Sequence, residues 1–297
     1  SSTLGPSRTS EPTSVPQLQG RSWRRLAERV DELRAAYAEC ERITSSHYEN
    51  FGIGSWLLPA AERRHLAALY AFARGAGESA EPVFVATAHT IAERGLEVGE
   101  LRALLRAFRY DADFRPYRDF AALRDYCRNS ASPVGRLVLG LFGVRNPEAD
   151  ALSDEVCTGL QLANFWQDLS IDLSRGRSTL PLADLDAHPG ARVAIERREA
   201  NPAFRSLMQL QIERTRRSLR CGVELAALLP RRAAFEIHCF TGGGLAILEK
   251  VGAGIDDLLR VRPTLGALSR IRIFASALGP KAEARGPSAA LSEVMRC

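Results

Sequence analysis

The chain has 297 residues, 45% of them hydrophobic and 25% charged, with a formal net charge of +5. That is enough apolar material for a sizeable core, and the basic residues are spread rather than blocked, so composition alone does not argue for nucleic acid, while a basic balance suits an anionic small substrate. No run approaches the eighteen or so apolar residues of a transmembrane segment, and the first residues lack the layout of a signal peptide, so a cytoplasmic protein is expected.

Residues 1–20 are rich in Ser, Thr, Pro and Gly and are expected to be disordered. Trp23, Leu26, Val30, Leu33 and Tyr37 then follow the rhythm of one buried helix face, with Ser22 as N-cap. Pro59 starts a second helix reaching about Ser79. Further helices fit 83–94, 99–109, 119–142 with a kink at Pro133, 148–173, 202–228, 231–251 and 264–278. The tail 279–297 reads as a second disordered segment. No period-two runs suggest strands, so residues 21–278 read as one all-α domain. Six cysteines at 40, 127, 157, 221, 239 and 297 form no CxxC pair and read as free thiols.

The stretch "QLANFWQDLSID" (161–172) poses a chemical question. Most of it is apolar, yet Gln161, Asn164, Asp168 and Asp172 recur at spacings of three and four. At 100° per residue all four lie within about 40° of Asp168. One reading is the solvated face of an amphipathic helix. The other is the wall of an enclosed pocket, where two adjacent carboxylates would repel unless a cation joined them. Carboxylates and an amide, without His or Cys, suit a hard ion such as Mg²⁺, which commonly bridges carboxylates to phosphate. Arg175 and Arg177 follow immediately and could grip the same phosphate.

"QLANFWQD…D" followed by "RGR…LP" resembles the second aspartate-rich motif of the squalene/phytoene synthase family. The resemblance extends to "SHYENFGIGSWLLP" (46–59), "LAALYAFAR" (66–74), "DYCRNSASPVGRLVLGLFG" (125–143) and "GGGLAILEKV" (242–251), wording similar to the hydroxysqualene synthase-like branch. It implies a single-domain isoprenoid synthase fold, all-α, around a central active-site cavity. It also implies that Asn164, Asp168 and Asp172 hold Mg²⁺ on an allylic prenyl diphosphate, with Gln161 beside them. His47, Arg74 and Arg177 fall at diphosphate-contacting positions.

The departures from that pattern are concentrated. Where the family carries a first motif of the form DDxxD, this chain has Gly77, Glu78 and Glu81. Glycine offers no ligand, and Glu is a methylene longer than Asp. Thr179 replaces the tyrosine of the family's "RxYxP" segment. The expectation is that one prenyl diphosphate is ionised at 164–172 while the other half of the cavity takes an apolar, aromatic acceptor such as a carbazole. Aromatic prenyltransferases related to squalene synthase are such a variation. Phe51, Trp56, Tyr70 and Phe72 are candidates to wall the acceptor and cation pocket, each with core packing as the plainer role. Glu78 and Glu81 are candidate catalytic carboxylates. The alternatives are a hydroxysqualene or squalene synthase acting on presqualene or farnesyl diphosphate, and a non-catalytic isoprenoid-binding subunit.

Overall fold

A computed structural model describes residues 20–46, 60–73, 80–278 and 287–295, and every element among them is helical. They are α1 (Gly20–Ser46), α2 (Ala60–Ala73), α3 (Ala80–Arg94), α4 (Val98–Ala112), α5 (Phe120–Ser130), α6 (Ser132–Leu141) and α7 (Pro147–Gln167). There follow α8 (Leu169–Ser174), α9 (Leu182–Ala187), α10 (Gly190–Arg197), α11 (Pro202–Ala227), α12 (Arg231–Ala253), α13 (Ala267–Leu278) and α14 (Pro287–Met295). No helix among the described residues is long and apolar enough to cross a membrane.

Several ends follow local chemistry. Asn146 and Asn201 cap α7 and α11 by accepting the N–H groups of Glu148 and Phe204, each with proline at the following position. Other expectations need correction. Ser22 is not an N-cap, because α1 already begins at Gly20. Val30 is 55% exposed, and Leu33, Ala36, Tyr37 and Cys40 of α1 pack into a core. Pro133 does not kink one helix but separates two, occupying the first turn of α6 where its missing N–H costs nothing. The tail expected to be unstructured contains α14, whose Val294 is buried with Leu152, Val156 and Leu225 of α7 and α11.

The centre of the molecule is a three-helix contact. A Cβ on Gly159 of α7 would lie 2.8 Å from Leu219 Cγ and 3.0 Å from the Leu219 backbone nitrogen of α11. Higher on α7, the buried Trp166 indole N–H donates to Thr215 Oγ1 at 2.8 Å. As α7 ascends, its partners on α11 descend, so the two are antiparallel. α12 is antiparallel to α11 in turn: Gly222 meets Thr241, Leu219 meets Gly244, and Ile212 meets Gly252. Hence α7 and α12 run parallel. Around them Leu162, Leu169, Phe204, Leu207, Met208, Leu248 and Leu258 form the main core.

A second core joins α1, α2, α3, α4 and α6 through Tyr37, Leu69, Phe72, Val83, Leu104 and Leu137. There the Tyr37 hydroxyl lies 3.0 Å from Nδ1 of both His65 and His89 and 2.9 Å from Thr90 Oγ1.

Buried acids outside the stripe are mostly paired. Glu155 accepts from Arg124 at 2.5 Å and from Ser218 at 3.0 Å, tying α5 and α11 to α7. Asp184 accepts from Arg214 and Gln211. Glu236 of α12 is different: it is 4% exposed, neither carboxylate oxygen has a partner, and burial alone pushes its carboxyl up to about 7.

Three variants test these statements. Gly159→Ala should cost about 1–3 kcal/mol in urea unfolding, because the obstruction includes backbone. Gly99→Ala, with nothing within 4 Å of the added Cβ, should gain up to about 0.5 kcal/mol. A carboxyl whose folded value lies above its unfolded value stabilises below the unfolded value and ceases to do so as pH rises through the folded one. Wild type should therefore lose on the order of 2 kcal/mol more than Glu236→Met between pH 5 and pH 8.

Candidate active site

The polar stripe occupies the C-terminal end of α7 and continues into α8. Asp168 has φ −91° and ψ 6° and formally ends α7, a break that the sequence reading of one helix over 148–173 did not foresee. The hydrogen-bond ladder nevertheless passes through it. The Asp168 N–H donates to the Asn164 carbonyl at 2.8 Å and the Asp172 N–H to the Asp168 carbonyl at 2.9 Å. Asn164, Asp168 and Asp172 therefore stay on one face, with Gln161 a turn earlier.

Gly159 and Trp166, which face α11, lie about 180° and 160° round the helix from Asp168. The stripe thus points away from α11. Its four residues are partly exposed while Leu162, Ala163, Trp166 and Leu169 beside them are buried. Burial of the flanks makes this the edge of a core rather than a wholly solvated helix face.

Charge is arranged around both acids. Arg262 Nε–H donates to Asp168 Oδ1 at 2.5 Å. The Arg262 segment is held in place by Gln167, whose Nε2–H donates to the Pro263 carbonyl at 2.8 Å, and by Arg198, whose guanidinium reaches the Leu259 and Ser170 carbonyls. Burial, and then the neighbouring Asp168 charge, raise the Asp172 carboxyl above its ordinary range, opposed by Arg177 and Arg175. The turn that returns Arg177 uses Gly176 at φ +72°, and the Arg177 N–H donates to the Asp172 carbonyl at 2.9 Å. The Arg177 guanidinium donates to Asp111 at 3.1 Å and sits 4.4 Å over the Phe114 ring. Tyr126 donates to the same carboxylate at 2.9–3.0 Å.

The structure thus brings together Gln161, Asn164, Asp168, Asp172 and Arg177, and adds Arg262, Asp111 and Tyr126, which sequence reasoning missed. Arg262 is 94 positions from Asp168 and Asp111 is 66 from Arg177, so no local spacing links them. Of the other predicted residues, His47, Phe51, Trp56, Arg74 and Glu78 lie outside the described residues. Glu81 is exposed in the first turn of α3. Tyr70 is partly buried. Phe72 is a core residue rather than an open pocket wall: it is 5% exposed, with the rings of Phe84 and Phe108 at 5.9 and 6.4 Å. Thr179 is buried with its hydroxyl unpartnered.

The sequence signature of the squalene/phytoene synthase family matches residues 75–269. The chain belongs to the squalene/phytoene synthase family. Phytoene synthase of Mycobacterium tuberculosis is 27% identical over 283 residues, covering 84% of this chain and 92% of that one. Hydroxysqualene synthase of Rhodopseudomonas palustris is 32% identical over 208 residues, covering 60% and 70%. The crystal structure of squalene synthase HpnC from Alicyclobacillus acidocaldarius matches with a TM-score of 0.68 at 37% identity, covering 73% of this chain and 93% of that one. The expected single-domain, all-α isoprenoid synthase fold is thereby established, and the relatives are prenyl-transferring synthases.

Among the described residues no three His, Cys, Asp or Glu side chains converge into a ready metal cage. The donors available at the stripe are two carboxylates and the Asn164 amide. A hard-oxygen set completed by ligand oxygens is what Mg²⁺ tolerates, and mutual repulsion of Asp168 and Asp172 favours a cation between them, so the residues fit that ion.

Replacing either Asp168 or Asp172 by Asn removes charge at constant volume. Each change should lower Mg²⁺-dependent pyrophosphate release from an allylic prenyl diphosphate by at least about 100-fold without lowering the melting temperature. Activity within a few-fold of wild type in either variant would refute the assignment.

Proposed function

We propose that this chain is a Mg²⁺-dependent prenyltransferase that ionises one allylic prenyl diphosphate, of the short dimethylallyl type, at Asn164, Asp168 and Asp172 and passes the prenyl group to an aromatic acceptor such as a carbazole. The observation that carries the reading is asymmetry between the two halves of the family site. The second aspartate-rich motif is kept whole and its side chains are partly exposed, whereas the first is reduced to Gly77, Glu78 and Glu81, with Glu81 exposed on α3.

Mg²⁺, when bound, would supply Lewis-acid neutralisation of the departing diphosphate. The chain's own residues supply the rest. Arg262 and Arg177 place guanidinium groups at both ends of the Asp168–Asp172 pair, so negative charge developing on the leaving group meets preorganised positive charge. Asp111 and Tyr126 orient Arg177. The bond between prenyl C1 and the diphosphate oxygen breaks with its electron pair leaving on pyrophosphate. A ring carbon of the acceptor then bonds to C1, and the ring gives up a proton. Glu78 and Glu81 remain candidate acceptors of that proton. His47 and Arg74 are further candidates for the diphosphate, and Phe51, Trp56 and Tyr70 for the aromatic walls. A cytoplasmic setting belongs to this reading, consistent with five free thiols among the described cysteines.

A second reading, hydroxysqualene or squalene synthase, is favoured by the identity to proteins bearing those names. Mass spectrometry of the purified chain with Mg²⁺ separates the two. Prenylated carbazole from dimethylallyl diphosphate supports the first; presqualene, squalene or hydroxysqualene from farnesyl diphosphate alone supports the second. Under the first reading Glu81→Ala should leave pyrophosphate release within about 10-fold of wild type, whatever it does to proton removal, whereas Asp168→Asn costs at least about 100-fold. Equal damage from both changes would favour the second.

A further inference from the structure

Glu236 is a buried acid that the reaction above does not use. Where it points follows from the helix register. On α12, Thr241 and Gly252 face α11, and they lie about 140° and 160° round the helix from Glu236. Phe235 and Gly242 face α13, through Phe274 and Ile273, and lie about 100° and 120° the other way. Glu236 therefore faces neither neighbour. It shares its face with Phe240, Gly243 and Ile247, and a Cβ on Gly243 would meet nothing within 4 Å. This face and the stripe of α7 both look away from α11, onto the same side of the α7–α12 wall.

The axial distance follows too. Gly244 of α12 sits level with Leu160 of α7, 3.0 Å from its Cδ2 were a Cβ present. The helices are parallel, Glu236 is eight residues below that level and Asp168 eight above, so the two acids are separated by about 24 Å along the wall. One end carries the metal and diphosphate ligands. The other carries a carboxyl group that is 4% exposed with both oxygens unpartnered. That span suits a diphosphate, a five-carbon chain and a tricyclic ring end to end, and equally a diphosphate with one C15 chain, so the unpartnered carboxyl and not the length decides between them. Two prenyl chains, being hydrocarbon at their far ends, would leave such a group unsatisfied, and an apolar side chain would serve them better.

We propose that Glu236 is the distal anchor of the acceptor: its carboxyl group hydrogen-bonds a hydroxyl, carbonyl or ring N–H at the end of the aromatic molecule remote from the diphosphate. This makes Glu236 a specificity-determining residue that selects a polar-ended aromatic acceptor over an all-hydrocarbon one. It rests on the aromatic-acceptor reading, and binding rather than turnover is measured so that the two can fail separately.

The test titrates the full chain with Mg²⁺ and inorganic pyrophosphate present, using the intrinsic fluorescence of two probes, a hydroxyfluorene and fluorene, the second a tricycle with no hydroxyl, carbonyl or ring N–H. Wild type should bind the hydroxylated probe at least 10-fold more tightly. Glu236→Met should erase the preference, and Glu236→Gln, which keeps a donor and an acceptor, should retain most of it. Glu236→Met is expected to melt no lower than wild type at pH 8, which separates lost recognition from lost folding. If Glu236→Met keeps the preference, or if wild type shows none or binds neither probe, the anchor is refuted. If the preference depends on Glu236 but no carbazole is prenylated, the anchor stands and the transfer reading falls.

Discussion

The rotational setting of α7 governs the rest of the molecule. Gly159 lets α11 approach until the Leu219 backbone touches it, and the Trp166–Thr215 hydrogen bond fixes the helix against turning. With one side locked in this way, the opposite side is committed to face outward from the three-helix contact. That side carries the amide and the two carboxylates. A side chain larger than hydrogen at 159 would push the axes apart and turn the acids relative to Arg262 and Arg177, so a packing detail on one side of the helix sets the electrostatics of the other.

The charges around the stripe form two linked groups. Arg262 meets Asp168, and Arg177 joins Asp172 to Asp111 and Tyr126. The Arg262 segment is itself held by part-buried hydrogen bonds from Gln167 and Arg198, and the turn carrying Arg177 by its N–H to the Asp172 carbonyl. The loop after Gly254 and the turn at Gly176 thus act as fixed mounts for cations rather than as passive connections.

Much of this was legible in the sequence, for identifiable reasons. α7 and α11 announce themselves through Asn-Pro starts and long apolar periodicity, and the spacing of Gln161, Asn164, Asp168 and Asp172 survives the break at Asp168 because the backbone ladder continues through it. Other features were not legible. α9 and α10 are too short to show a period. The division before Pro133 rests on Ala131, two residues upstream, whose φ −122° and ψ −49° leave the helical range. Phe72 looks alike as a pocket wall or as core until Phe84 and Phe108 are placed against it. Arg262 and Asp111 reach the site only through tertiary folding, and a local spacing rule cannot find them.

The stripe also lies at the end of a helix least suited to it. A 21-residue α7 presents its partial negative pole at Gln167, and the two carboxylates sit at that pole, where cations are ordinarily favoured. Helix dipole and mutual repulsion act in the same unfavourable direction, with only guanidinium groups to offset them. Such a site is a standing instability that a bound cation would remove. Ligand-linked stabilisation should therefore be concentrated in this corner of the molecule, with the α7–α8 junction and the segment carrying Arg262 gaining the most protection against amide exchange when the site is filled.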